Sequence, residues 1–190
     1  MLILLIGIAL FFGAHSVSII APFWRDRMLL LVGAPQWKGL YALIAIAGLV
    51  ALAWGYGLAR QAPTILYTPP LWLRYATFVW MVPVFPLILA AYLPGRIASA
   101  TRHPLLIATQ FWAVAHLLST GTLPAVLLFG SFFVWATTDW ISLQRRVLQR
   151  SPALPASLFN DAIAVSGGLA AYGVFVWRLH LWLIGVQPVA

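Results

Sequence analysis

Six apolar runs parted by short polar or charged segments organise the chain: Leu2–Ile20, Gly39–Leu58, Leu71–Tyr92, Pro104–Leu118, Leu123–Leu143 and Ala162–Val186. Crossing a hydrocarbon core of about 30 Å takes about 20 apolar helical residues. The pattern therefore predicts an all-α, polytopic transmembrane bundle of about six helices, forming one domain over residues 1–190. Pro104–Leu118 is short for a span, and only Ser119-Thr120-Gly121-Thr122 parts it from the fifth run. These two segments should form a tight helical hairpin. Pro83 and Pro86 lie inside the third run and should kink it, with neighbouring helices satisfying the carbonyls that lose their partners. The Ser151–Pro155 stretch reads as a stiff connector, and no internal repeat or low-complexity tract stands out.

Composition sharpens this picture. Hydrophobic residues make up 63% of the chain and charged residues 7%, against roughly 25% charged content in ordinary soluble domains. Almost all of the chain must be buried in lipid or in helix contacts, which leaves no room for a soluble catalytic domain. The formal charge of +8 does not imply nucleic acid, because the cations fall between apolar runs and form no basic stripe. They set topology instead. Arg25, Arg27, Lys38, Arg96, Arg102, Arg145, Arg146 and Arg150 fall in odd-numbered loops, whereas Arg60, Arg74 and Arg178 fall near the other face. By the positive-inside rule the odd loops are cytoplasmic and both termini lie on the far side. The first run lacks a basic leader and a clear small-residue cleavage site, so it reads as an uncleaved helix. Trp24, Trp37, Trp54, Trp72, Trp140 and Trp182, near segment ends, suit an interfacial aromatic belt. With no cysteine, disulfides, thiolate nucleophiles and cysteine-ligated metals are excluded.

Two of the four histidines, His15 and His116, interrupt apolar membrane-length runs. An imidazole in hydrocarbon is costly unless the protein uses it. His15 precedes Pro22 by seven residues and His116 follows Pro104 by twelve, which places them roughly 10 Å and roughly 18 Å from the cytoplasmic face. His180, by the same measure about 27 Å from that face, belongs near the outer surface. Around His116, Thr109, Trp112, Ala113, Ser119 and Thr120 form a small-and-polar stripe of the kind that faces other helices. Around His15, Phe11, Phe12, Ser18 and Ile19, with Gly13 and Ala14 alongside, would suit a flat apolar ligand.

Two readings of this pair are open. Each imidazole could make an interhelical hydrogen bond, worth about 0.6 to 2 kcal/mol. Alternatively the two could clamp a haem iron axially, with Arg25, Arg27, Lys38 and Arg102 on the side His15 approaches to receive the propionates. A non-haem metal is disfavoured, because the chain has no glutamate and Asp139 is the one acid inside a helix. Asp139 itself suits a salt bridge with Arg102, Arg145 or Arg146 better than proton handling. Proton-coupled transport lacks its usual chain of intramembrane carboxylates.

Gly13-Ala14-His15-Ser16, Trp37-Lys38-Gly39-Leu40-Tyr41, Thr101-Arg102-His103-Pro104 and Ala115-His116-Leu117-Leu118, in that order and spacing, resemble the NnrU family of bacterial membrane proteins across essentially the whole chain. The resemblance implies an inner-membrane, multi-pass protein with both termini periplasmic, associated with nitrogen-oxide metabolism in denitrifying bacteria. A related enzyme, 15-cis-zeta-carotene isomerase, is a haem b protein that isomerises a carotenoid double bond when its iron is reduced. Carried over, its axial ligands correspond to His15 and His116, with Arg102 and His103 at the edge of the cofactor site. That resemblance implies haem b and a lipophilic small-molecule substrate, with the bilayer as the other partner. Membrane methyltransferases carry a similar Arg-His-Pro segment near an S-adenosylmethionine site, but they add a downstream acidic pair that this chain lacks. A cofactor-free transporter or assembly factor is the other alternative. For His103 the plainest role is to cap or orient the fourth helix.

Overall fold

The computed structural model describes residues 1–145 and 157–188. Arg146, Arg150 and the Ser151–Pro155 connector lie outside these residues. The described chain is helical, with no strand beyond one isolated Ile65–Thr122 bridge. Its elements are α1 (Leu2–Ile20), α2 (Pro22–Val32), α3 (Ala34–Ala59), α4 (Leu71–Met81), α5 (Val84–Ala90), α6 (Arg96–Thr101), α7 (Pro104–Ser119), α8 (Leu123–Arg145), α9 (Leu158–Val174), a π-helical turn (Phe175–Leu179) and α10 (His180–Ile184).

Five of the resulting rods are long and apolar enough to cross a membrane, counting α4 with α5 and α9 through α10 as single rods. The sixth, α7, has 16 residues, or about 24 Å of helix. The bonds at the helix ends show that it nevertheless runs the full height of the bundle. At one end Arg102 Nη1 donates to Gln144 Oε1 at 2.9 Å, joining the start of α7 to the end of α8. At the other, the Leu123 N–H donates to the Thr64 carbonyl at 2.8 Å. Arg60 Nη2 also reaches the Ile184 carbonyl there, at 3.0 Å, and caps α10. The rods alternate in direction, and the odd-numbered loops share one end, as the charge pattern predicts.

Large apolar side chains cover the outside. Leu2, Ile20, Phe23, Leu43, Val79 and Trp182 are among many that stand exposed, whereas no polar or charged residue is fully buried among the described residues. Water would not tolerate so much contiguous apolar surface. Lipid does, so the molecule is a multi-pass membrane protein.

Inside, small residues set how closely the rods approach. Leu4 of α1 lies against Gly55 of α3, Gly7 against Leu52, and Phe11 against Gly48, with each glycine pressed onto the partner's backbone. A Cβ on Gly55 would stand 2.3 Å from the Leu4 nitrogen. Without a hydrophobic force between helices in lipid, such close backbone packing supplies much of the attraction. Gly168 of α9 meets Pro86 of α5 in the same way.

The kink in the third rod falls at Pro83. With no N–H on Pro83, the Val82 N–H bonds the Val79 carbonyl at 3.2 Å and leaves the Phe78 carbonyl without its usual helical donor. The Tyr172 hydroxyl of α9 donates to that carbonyl at 2.8 Å. Pro86 sits in the first turn of α5, where a missing N–H costs nothing.

Three features depart from the apolar pattern. The chain leaves the first span not into a loop but into α2, an 11-residue helix bounded by Ala21 and Gly33. A second short helix, α6, precedes α7, and its first N–H groups are met from another element: Asp161 Oδ2 accepts from Arg96 N at 2.8 Å and Oδ1 from Ile97 N at 3.1 Å. The last rod starts at Leu158 and not Ala162, because Ser157 caps it by accepting from Phe159 N.

Candidate functional site

His15 sits five residues from the charged-loop end of its span, on α1. Its Nδ1 lies 2.8 Å from the Phe11 carbonyl one turn earlier. His116, on α7, repeats the arrangement, with Nδ1 2.8 Å from the Trp112 carbonyl. A backbone carbonyl can only accept, so Nδ1 carries a proton in both rings, and in a neutral ring Nε2 is the nitrogen with the lone pair. This is the tautomer of an imidazole that ligates through Nε2, with the second nitrogen held by a backbone oxygen. Both side chains are half-buried.

Neither imidazole touches the other. A run of ring contacts joins them: His15 to Phe11 at 4.2 Å, Phe11 to Phe132 at 5.6 Å, Phe132 to Trp112 at 5.2 Å, and Trp112 to His116 at 5.1 Å. Phe129 stacks on His116 at 4.4 Å, while Tyr41 and Trp135 meet His15 edge-on. Helix α8 supplies Phe129, Phe132 and Trp135 to this aromatic layer. Their spacing of three is helical and was legible in the sequence, but in an apolar run it looks like any lipid-facing or core stripe.

The surround of His116 is closed. Ala113 and Ala115 on its own helix are fully buried, and Thr77 of α4 reaches the Ala115 carbonyl at 3.2 Å. The inward orientation expected of this face is what the fold has. Beyond the end of α7, the Leu66 and Tyr67 N–H groups donate to the Gly121 carbonyl at 2.8 and 3.1 Å. The Tyr67 hydroxyl donates to the Leu117 carbonyl, next to His116. Partial burial pushes the Tyr67 phenol up from its ordinary value.

A groove lies one ring away from His15, beyond Trp135. It measures about 490 Å³ between α1 and α8 and is lined by Phe12, Ser16, Gly130 and Trp135 among others. Phe12 and Trp135 are in contact with each other, and Trp135 meets His15. The Trp135 indole nitrogen is buried without a hydrogen-bond partner.

The edge residues lie apart from both histidines. Arg102 has a left-handed backbone (φ 58) at the break between α6 and α7. His103 is the N-cap residue of α7, where its carbonyl and not its ring accepts, from Leu106 N at 3.1 Å. Capping, the plainest role for this residue, is therefore met by the backbone. Arg25 pairs with Asp26 at 2.9 Å. Asp139 lies within electrostatic reach of the Tyr41 hydroxyl, while Arg102, one of its three expected partners, bonds Gln144. His180 lies at the far end, as expected, with Nδ1 2.7 Å from the Val186 carbonyl. No group of three or more His, Cys, Asp or Glu side chains that could hold a metal ion occurs among the described residues.

A six-rod membrane bundle with two histidines set in an aromatic layer defines the class: a helical integral membrane protein with an intramembrane candidate site. The family model described as NnrU protein matches residues 3–188, and the chain belongs to the NnrU family. No curated protein and no solved structure matches it.

Proposed function

We propose that this NnrU-family protein holds one b-type haem within the bilayer through His15 and His116. The observation that carries the reading is the matched pair of imidazoles, each with Nδ1 tied to the carbonyl one turn back and Nε2 left with its lone pair. The donor chemistry fits haem iron, which takes imidazole nitrogen as a ligand. The rings of Phe11, Trp112, Phe129 and Phe132, which contact the imidazoles and one another, would supply flat apolar surfaces for a macrocycle.

When bound, haem would supply one-electron redox chemistry at its iron. The chain's own contribution is to fix both imidazole tautomers, to exclude water by aromatic packing, and to place the α1–α8 groove one ring away from His15. A lipophilic substrate for redox-dependent isomerisation, or support of nitrogen-oxide metabolism at the inner membrane with both termini periplasmic, follows from the family resemblance. Arg102 and His103 would act at the edge of the site, Arg102 by joining α7 to α8.

Absorption spectra of the purified protein, oxidised and reduced, test this directly. The wild type expressed with ample haem should show a strong Soret band, and His15→Ala and His116→Ala should each lose or shift it. A wild type that folds but carries no haem sinks the proposal and leaves a cofactor-free transporter or assembly factor. S-adenosylmethionine binding that depends on Arg102 and His103 would instead mark a methyltransferase.

A further inference from the structure

Helix α2 contributes nothing to the core: none of its residues is buried. Phe23 is 90% exposed and Leu30 88%. With Trp24, Arg27 and Leu31 they recur at offsets of one, four, seven and eight from Phe23, which is one face of a helix. That face is apolar with a cation in its middle. Both neighbours of α2 are spans. Ala21 breaks the chain from α1, and Gly33, at φ +87, breaks it to α3. A helix held directly between two span ends has to lie at the membrane surface, and the end it occupies is the basic one.

The cations around it outnumber the acids. Arg25, Arg27 and Lys38 have one carboxylate, Asp26, in the same stretch of sequence. That carboxylate bonds the adjacent Arg25 through Nη2, and Arg25 Nε is buried with no acceptor. Trp24 packs edge-on against Trp37 at 5.5 Å, an indole pair of the sort that settles at headgroup level.

We infer that α2 is an in-plane helix docked on anionic phospholipid headgroups, with Phe23, Leu30 and Leu31 at the acyl boundary and the guanidinium of Arg27 on phosphate. An apolar face with snorkelling cations is how interfacial helices bind. Each cation near an anionic surface should tighten binding about fivefold. This inference is independent of the haem reading.

The chain has no cysteine, so single probes can be placed cleanly. Phe23→Cys and Leu30→Cys, each labelled with bimane in the full-length protein, are reconstituted into vesicles of phosphatidylcholine with or without phosphatidylglycerol. Nitroxide lipids labelled near the headgroup should quench both probes, aqueous iodide should not, and phosphatidylglycerol should deepen the lipid quenching. Native mass spectrometry of the unmodified chain should show phosphatidylglycerol retained over phosphatidylcholine, a preference that falls about fivefold in Arg27→Gln. Iodide quenching would put the face in water, and quenching by neither agent would put it under a protein or a second copy. Either result overturns the inference, as does equal behaviour with and without anionic lipid.

Discussion

His116 and His15 border the same aromatic layer and hold the same tautomer, yet His116 packs at a closed helix end and His15 lies one ring, Trp135, from a groove. His116 is closed by Phe129, by buried alanines and by the Leu66–Tyr67 strap, which bonds across the α7–α8 turn. His15 contacts Trp135, which lines a groove between α1 and α8. The difference separates two tasks that one pair of identical side chains could share. The imidazole at the closed helix end suits a permanent hold, and the one beside the groove suits exchange with what the bilayer brings.

Glycines offer the sharpest way to break this contrast. A Cβ on Gly121 would stand 1.9 Å from the Tyr67 carbonyl oxygen, a backbone atom that cannot step aside. Gly121→Ala should therefore cost about 3 kcal/mol, read as a large fall in melting temperature in detergent. If stability is unchanged, the strap does not hold the His116 end. On the His15 side the equivalent is Gly48→Ala, whose Cβ would stand 2.6 Å from the Phe11 nitrogen and should part α1 from α3 at a cost of about 2 kcal/mol. Its thermal shift should come with loosened ordering of α1, detectable by faster hydrogen exchange at Phe11 and its neighbours.

Tyr67→Phe removes only the hydroxyl, which is placed to donate to the Leu117 and Thr120 carbonyls, and should cost about 0.5–1 kcal/mol. It should also change the response to alkali. Partial burial makes the Tyr67 phenol harder to ionise in the fold than in the unfolded chain, whose tyrosines titrate near 10.0. Above that pH the unfolded chain releases its proton first, so stability declines as pH rises. The phenylalanine variant should lose less stability than wild type between neutral pH and pH values above 10.0. Parallel melting curves across that range would refute a role for the phenol. Smallest of all should be Gly130→Ala in the groove, where an added Cβ meets nothing within 4 Å. Its effect should stay within about 0.5 kcal/mol, and a large loss would mean that the groove closes.

Much of this was legible beforehand because lipid imposes a simple rule on sequence. The first span runs over the same residues in sequence and structure, Leu2–Ile20, since an uninterrupted apolar run has one solution in hydrocarbon. The Pro83 kink and its repair by a neighbouring helix were equally readable. Helix α2 was not, because Pro22–Val32 is too short and too charged to register as a span, although Pro22 and Gly33 punctuate it. Asp161 was passed over because it caps α6, whose residues lie more than 60 positions away, and no local pattern records such a contact. In the site, the two histidines stood out by their cost, whereas Phe129, Phe132 and Trp135 were hidden among a chain full of aromatic residues.

The π-turn at Phe175–Leu179 carries a meaning for how this chain can vary. A π-turn holds one residue more than an α-turn and so records a single insertion accommodated without breaking the rod. Deleting one residue there would swing His180–Ile184 by about 100°. The Arg60–Ile184 bond and the His180–Phe175 contact would both be lost, while Gly168 would stay seated on Pro86. The end of the last helix thus keeps a register of its own. Mutation can re-aim it in one step while the bundle beneath stays as it is.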